Sequence, residues 1–159
     1  THPQGRCVMQ YIVPVGRVLY SAIFIMSFLS HFSPQAIGYA AQAGVPLPGL
    51  LVPLSGVLAG VGGLSVLLGY RAKIGAWLVA IFLVPVTVTM HNFWAVTDPM
   101  MAQMQQAMFM KNLSMLGGAL LVAHFGAGPV SVDARLSRQR TSSGAAIAGP
   151  RARPEAARS

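Results

Sequence analysis

Charge is what this sequence has least of. Only 9% of its 159 residues are charged and 54% are hydrophobic, whereas a soluble domain carries about a quarter charged residues. A chain this apolar needs the bilayer as its solvent. Cysteine is nearly absent too: Cys7 stands alone, which excludes an internal disulfide, a CxxC pair and a cysteine metal cluster. No serine–histidine–acid set stands out. Asp98 and Asp133 fall on opposite sides of the membrane in the topology below, so paired-carboxylate chemistry is excluded. No strands are expected, so no dinucleotide or flavin fingerprint has a strand to follow. A cleavable signal peptide is not expected, because the first apolar segment is too long and ends without a small-residue cleavage site. The net charge of +8 looks at first like a nucleic-acid signal. Yet Arg135, Arg138, Arg140, Arg151, Arg153 and Arg158 gather at the carboxyl end, with no zinc-ligand spacing or RNA-binding signature. They read as a tail drawn to anionic lipid, and no nucleic acid is expected as a partner.

What is present is four apolar stretches, at about 12–32, 50–68, 74–90 and 108–125. About twenty residues of helix cross the hydrocarbon core. The expected fold is therefore all-α: an integral membrane four-helix bundle over residues 12–135. A short cytoplasmic segment (1–11) precedes it, and a basic, disordered cytoplasmic tail (136–159) follows. Pro14 suits a first helical turn, and Arg17, one turn further, can extend along its stem to the headgroups. Residues 33–49, rich in Gly and Pro, read as a loop. Gly56, Gly60 and Gly63 share a helix face, which in lipid is a packing face. Gly69 is a helix C-cap before the basic turn Tyr70–Lys73. Trp77 and Trp94 bracket the third span at the two interfaces. Pro85 should free the carbonyl of Ile81 and bend that span. Asp98-Pro99 is a strong helix start; the helix it opens is longer than the core needs, so Gln103, Gln105 and Gln106 should stand above the membrane. Gly126, Gly128 and Pro129 end it. Basic residues at the amino end, in the second loop and at the carboxyl end place both termini in the cytoplasm.

This topology gathers His31, His91, Asn92, Trp94, Lys111 and Asn112 at the outer end, where intramembrane ionisable groups are functional candidates. A quinone headgroup needs hydrogen-bond donors beside an apolar slot, and these residues can supply them; a His can also carry the proton of quinone chemistry. The bland alternative is that they sit among headgroups or tie the third span to the fourth. Met100, Met101, Met104, Met108, Met110 and Met115 crowd the last helix. Thioethers bind Cu(I), but Met100, Met104 and Met108 at four-residue spacing form a stripe that is usually adaptable packing. No metal site is assigned. His124 lies at the opposite end.

Lys111-Asn112-Leu113, Met115-Leu116-Gly117-Gly118, Gly126-Ala127-Gly128-Pro129 and Ser131-Val132-Asp133-Ala134 resemble the carboxyl half of the DoxX family, small four-helix proteins of the bacterial inner membrane. Gly16-Arg17, Gly44-Val45-Pro46-Leu47-Pro48, Gly62-Gly63-Leu64 with Gly69, and His91-Asn92-Phe93-Trp94 follow its pattern in order, over about residues 12–135. This chain departs from it at Phe28 and His31, where the family often has glycine and lysine, and around Ala59, where it often has a glutamate. The family is named for its likeness to the membrane subunit of a thiosulfate:quinone oxidoreductase. The resemblance thus implies an inner-membrane redox component, with a quinone as the non-covalent cofactor and a soluble redox protein as partner. The alternatives are a non-enzymatic anchor or assembly factor for a soluble partner and, behind it, copper handling.

Overall fold

A computed structural model describes residues 3–147, with side chains over 10–143. Its helices are α1 (Pro3–Ser30), α2 (Pro34–Gln42), α3 (Pro48–Leu68), α4 (Ala72–Met90), α5 (Pro99–Phe125) and α6 (Val132–Ile147), with a 3-10 turn at Phe93–Ala95 between α4 and α5. No β-strand occurs among the described residues. Four segments are long and apolar enough to cross a membrane: Gln10–Ser30, Pro48–Leu68, Ala72–Ala95 and Pro99–Phe125.

The spans pack through missing side chains. Lipid tails are as apolar as leucine, so helices in a bilayer gain most where their backbones approach closely. Phe24 and Phe28 of α1, and His31 just past its end, recur at i, i+4 and i+7 and lie against Gly63, Gly60 and Gly56 of α3, in reverse order. A Cβ on those glycines would stand 2.9, 2.7 and 2.6 Å from the three side chains. The reversed order makes α1 and α3 antiparallel. Between α3 and α4, a Cβ on Gly62 would stand 2.8 Å from the carbonyl oxygen of Gly75. Tyr20 closes the bundle: its ring covers Gly118 of α5 and its hydroxyl donates to the Met115 carbonyl at 2.8 Å. Phe24, Ala59, Val79, Phe82, Leu83 and Ala119 form the buried centre. Large side chains such as Leu19, Met26 and Leu29 point outward, as a lipid-facing surface requires.

Four expectations are corrected. The stretch 33–49 is not all loop: Ser33 accepts from the Ala36 N–H, Pro34 occupies the first turn, and α2 follows. This is an N-cap with proline behind it. Pro14 lies inside α1, which begins eleven residues earlier, rather than in its first turn. Arg17 does not reach for headgroups. It is buried, and its guanidinium donates to the carbonyls of Ala127 (2.7 Å) and Val130 (3.0 Å), because the chain after α5 turns back over it. The expected disordered tail is helical through Ile147. Ser131 accepts from the Ala134 N–H, and Asp133 stands in the first turn, where a carboxylate suits the helix dipole. Residues 148–159 lie outside the described residues. Helix α4 runs on through Pro85 to Met90.

Candidate ligand-binding site

The two ends of the bundle treat their polar groups differently. At one end, Gly69 ends α3 in the left-handed region (φ +65°), and a Cβ there would run into Arg17 and Ser131. Asp133 N–H donates to the Gly69 carbonyl at 2.9 Å. The Asp133 carboxylate accepts from the backbone N–H groups of Arg71 (2.8 Å) and Ala72 (3.2 Å), capping α4 from another helix. Lys73 donates to the His124 carbonyl at 2.8 Å. Here the Ser131–Ala134 motif acts as a lock between helices.

The other end holds a cavity of about 530 Å³ between α2, α3 and α4. Its walls are mostly apolar, including Val45, Leu54, Leu58, Ile81, Phe82 and Val86; its polar side chains are His31, Tyr39, Ser55, Thr89 and His91. Each hydroxyl of Ser55 and Thr89 donates to a carbonyl of its own helix, which leaves Tyr39 and the two imidazoles as the reactive part of the wall.

The imidazoles are oriented from behind. His31 Nδ1 lies 2.7 Å from the Ser27 carbonyl. A carbonyl can only accept, so Nδ1 carries the hydrogen and Nε2 is left for another partner. The His31 ring also stands edge-on to Phe82, centroids 5.7 Å apart. His91, just past α4, meets the Gln105 amide through Nδ1 at 2.8 Å, and the same amide meets the Tyr39 hydroxyl at 2.9 Å. Three elements, α2, the end of α4 and the first half of α5, are thereby joined by one side-chain chain.

Of the residues expected at this end, the structure brings His31 and His91 to the cavity. Asn92, Trp94, Lys111 and Asn112 are not part of its wall. Trp94 packs with Phe93 and Phe109, centroids 5.1 and 5.9 Å away. Lys111 is exposed, its Nζ 3.5 Å from the Met108 sulfur. Asn112 is buried on α5, and Asn92 is half-buried before the 3-10 turn. Tyr39 and Gln105 are the residues the sequence reading passed over. Ser33-Pro34 was the signal for the helix that carries Tyr39. Nothing local marks Gln105 out from Gln103 and Gln106. Among the described residues no three His, Cys, Asp or Glu side chains group as a metal site.

Known proteins place the chain in a family. The DoxX family model matches residues 12–92, and the model of the SURF4 family matches residues 54–138. The chain is 30% identical over 127 residues to the inner membrane protein YqjF of Escherichia coli strain K12, covering 80% of this chain and 93% of that one. It is 28% identical over 131 residues to the inner membrane protein YphA of the same organism, covering 82% and 92%. A shorter likeness, 32% over 77 residues, joins it to the ER-derived vesicles protein ERV29 of Saccharomyces cerevisiae, over 48% of this chain and 24% of that one. No solved structure matches. With a family model over half its length, near full-length bacterial relatives and four apolar helices, the chain is a multi-pass protein of the bacterial inner membrane and belongs to the DoxX family.

Proposed function

We propose that this protein is the membrane component of a redox system and takes a quinone into the cavity between α2, α3 and α4, with the redox centre carried by a soluble partner. The observation that supports this most is the cavity itself: an apolar slot whose wall carries His31, Tyr39 and His91, each held by one hydrogen bond and with further hydrogen-bonding capacity left. Ligand sites combine an apolar lining with a few placed polar groups in this way.

The coupling through Gln105 adds chemistry. An amide is a donor on one arm and an acceptor on the other. With its oxygen toward His91, Nδ1 donates to it, the amide N–H₂ donates to Tyr39, and the tyrosine O–H is left for the cavity. Turned over, the amide donates to His91 and accepts from Tyr39, and His91 Nε2–H becomes the cavity's donor. The two bonds, 2.8 and 2.9 Å, suit either orientation. The pair thus offers one donor and one acceptor in both. Quinone carbonyls need a donor and quinol hydroxyls need an acceptor, so the wall complements both redox forms.

Orientation is part of the same reading. Arg17, Arg71, Lys73, Arg135, Arg138 and Arg140 all belong to the end opposite the cavity. By the positive-inside rule that end, with both termini, faces the cytoplasm and the cavity belongs to the outer leaflet.

The test is equilibrium binding of a short-chain ubiquinone or menaquinone analogue to the protein in lipid nanodiscs. The protein should bind it saturably, and His31→Ala with His91→Ala should weaken binding tenfold or more, at about 1 kcal/mol for each hydrogen bond. Binding that survives both substitutions overturns the assignment. Co-purification with a soluble protein and no quinone retention would favour the anchor reading.

A further inference from the structure

A second concave site lies at the opposite end and shares nothing with the first. It encloses about 390 Å³ and is lined by Tyr70, Arg71, Asp133, Leu136, Ser137 and Arg140. Four of these six lie on α6 at i, i+3, i+4 and i+7, which is one stripe of a helix. The other two belong to the turn between α3 and α4. The groove is therefore the seam between that turn and α6.

Hydrogen bonds to backbone tie the two sides of the seam together. Asp133 ties α6 to the turn through the amides of Arg71 and Ala72 and through the Gly69 carbonyl. Ser65 donates to the Tyr70 carbonyl at 2.6 Å from the other side. Asp133 is the sole acidic residue of the wall; each of its oxygens already accepts an N–H, and its negative charge is outnumbered by the two arginines of the wall. Ser137 donates to the Ala134 carbonyl. What the groove presents is then two guanidinium groups, the Tyr70 hydroxyl, and Leu136.

Arg71 is placed there against its backbone preference. It has φ +48°, a conformation that costs a non-glycine residue roughly 1 kcal/mol and that glycine adopts freely. Its guanidinium carbon lies 5.8 Å over the Tyr70 ring, a contact that holds the charged group beside the groove. The groove adjoins the ends of two spans, where exposed Leu68 gives way to Gly69 and Tyr70. That is the level of lipid headgroups.

We propose that this groove binds a phosphate group, and that the phosphate belongs to an anionic glycerophospholipid, with Arg71 and Arg140 on its oxygens and Tyr70 and Leu136 beside the glycerol. Paired guanidinium groups are the side chains best matched to phosphate oxygens. A lipid is the occupant because the groove lies at the edge of the spans and has an apolar residue as well as charge.

The experiment uses the full chain purified in a neutral detergent and titrated with phosphatidylglycerol, phosphatidylcholine or inorganic phosphate. Thermal unfolding and native mass spectrometry are the readouts. Phosphatidylglycerol should raise the melting temperature by several degrees and remain bound in the mass spectrum; phosphatidylcholine should do neither. Arg71→Gly combined with Arg140→Ala should abolish both effects. Glycine suits the φ of position 71, and position 140 is exposed, so this variant keeps the fold. Arg135→Ala, on α6 but outside the groove, should leave both effects intact. Equal loss with Arg135→Ala, or retention in the Arg71/Arg140 variant, overturns the site. Full protection by millimolar inorganic phosphate, with no gain from the lipid, overturns the lipid assignment and leaves a soluble phosphate as the ligand.

Discussion

At the arginine end of the bundle three charged side chains are committed to distant backbone: Arg17 to residues 110 and 113 positions away, Lys73 to one 51 away, Asp133 to two more than 60 away. At the histidine end the polar chain is short, His91–Gln105–Tyr39, the His31 imidazole is hydrogen-bonded to the nearby Ser27 carbonyl, and space remains beside them. Polar groups whose valences are filled by the protein stabilise it. Groups with one valence filled and one free are oriented for something else. The Ser131–Ala134 stretch belongs to the first kind and the candidate quinone site to the second.

That contrast can be broken most easily at Arg17. Arg17→Ala removes two charge-assisted bonds and a buried stem, and should cost about 3 kcal/mol, read as a large drop in melting temperature. Arg17→Lys should restore only part, since one ammonium cannot fork to two carbonyls. Quinone affinity per folded molecule should not change; a parallel loss of affinity would show that the two ends are coupled. Next comes Asp133→Ala, which uncaps α4 and should cost about 2 kcal/mol, with faster hydrogen exchange at the Arg71 and Ala72 amides. Unaltered exchange would remove the lock from Asp133.

At the histidine end, the effects should appear in binding and spare stability. Gln105→Glu replaces an amide with a group that only accepts. Tyr39 O–H and His91 Nδ1–H should both turn to it, leaving acceptors alone toward the cavity. Quinol should then gain over quinone by about tenfold, or about 1.4 kcal/mol. Equal weakening of both forms would mean Gln105 only braces the wall. Tyr39→Phe removes one hydroxyl and should weaken quinone binding about fivefold, near 1 kcal/mol. Lys111→Ala should do least: the residue is exposed and outside the cavity, and a marked loss of binding would move the site toward α5.

The spans were legible because each depends on local properties: length, hydropathy, and signals such as Asp98-Pro99 and Gly69. The Gly56, Gly60 and Gly63 face was legible for the same reason, since 3.6 residues per turn places them together whatever they meet. His31 and His91, which line the cavity, were legible as candidates because a histidine beside an apolar span is conspicuous on its own. Tyr39 and Gln105 were not, because α2 was hidden in a segment dense in glycine and proline, and because Gln105 acquires its role only from what α2 and α4 bring to it. Arg17 misled for a related reason. Its depth in the span suggests a side chain reaching out, yet carbonyls 110 residues later reach in.

The sequence by itself therefore determined the solvent, the class of fold, the spans and the family pattern, because hydropathy and helical period act over one or two turns. Tertiary structure alone decided which polar groups are spent and which are free, because hydrogen-bond valence is filled by whichever backbone or side chain the packing delivers. Asp133 became a cap for α4 and His91 became one end of a chain to Tyr39 only once antiparallel helices had brought distant residues within 3 Å.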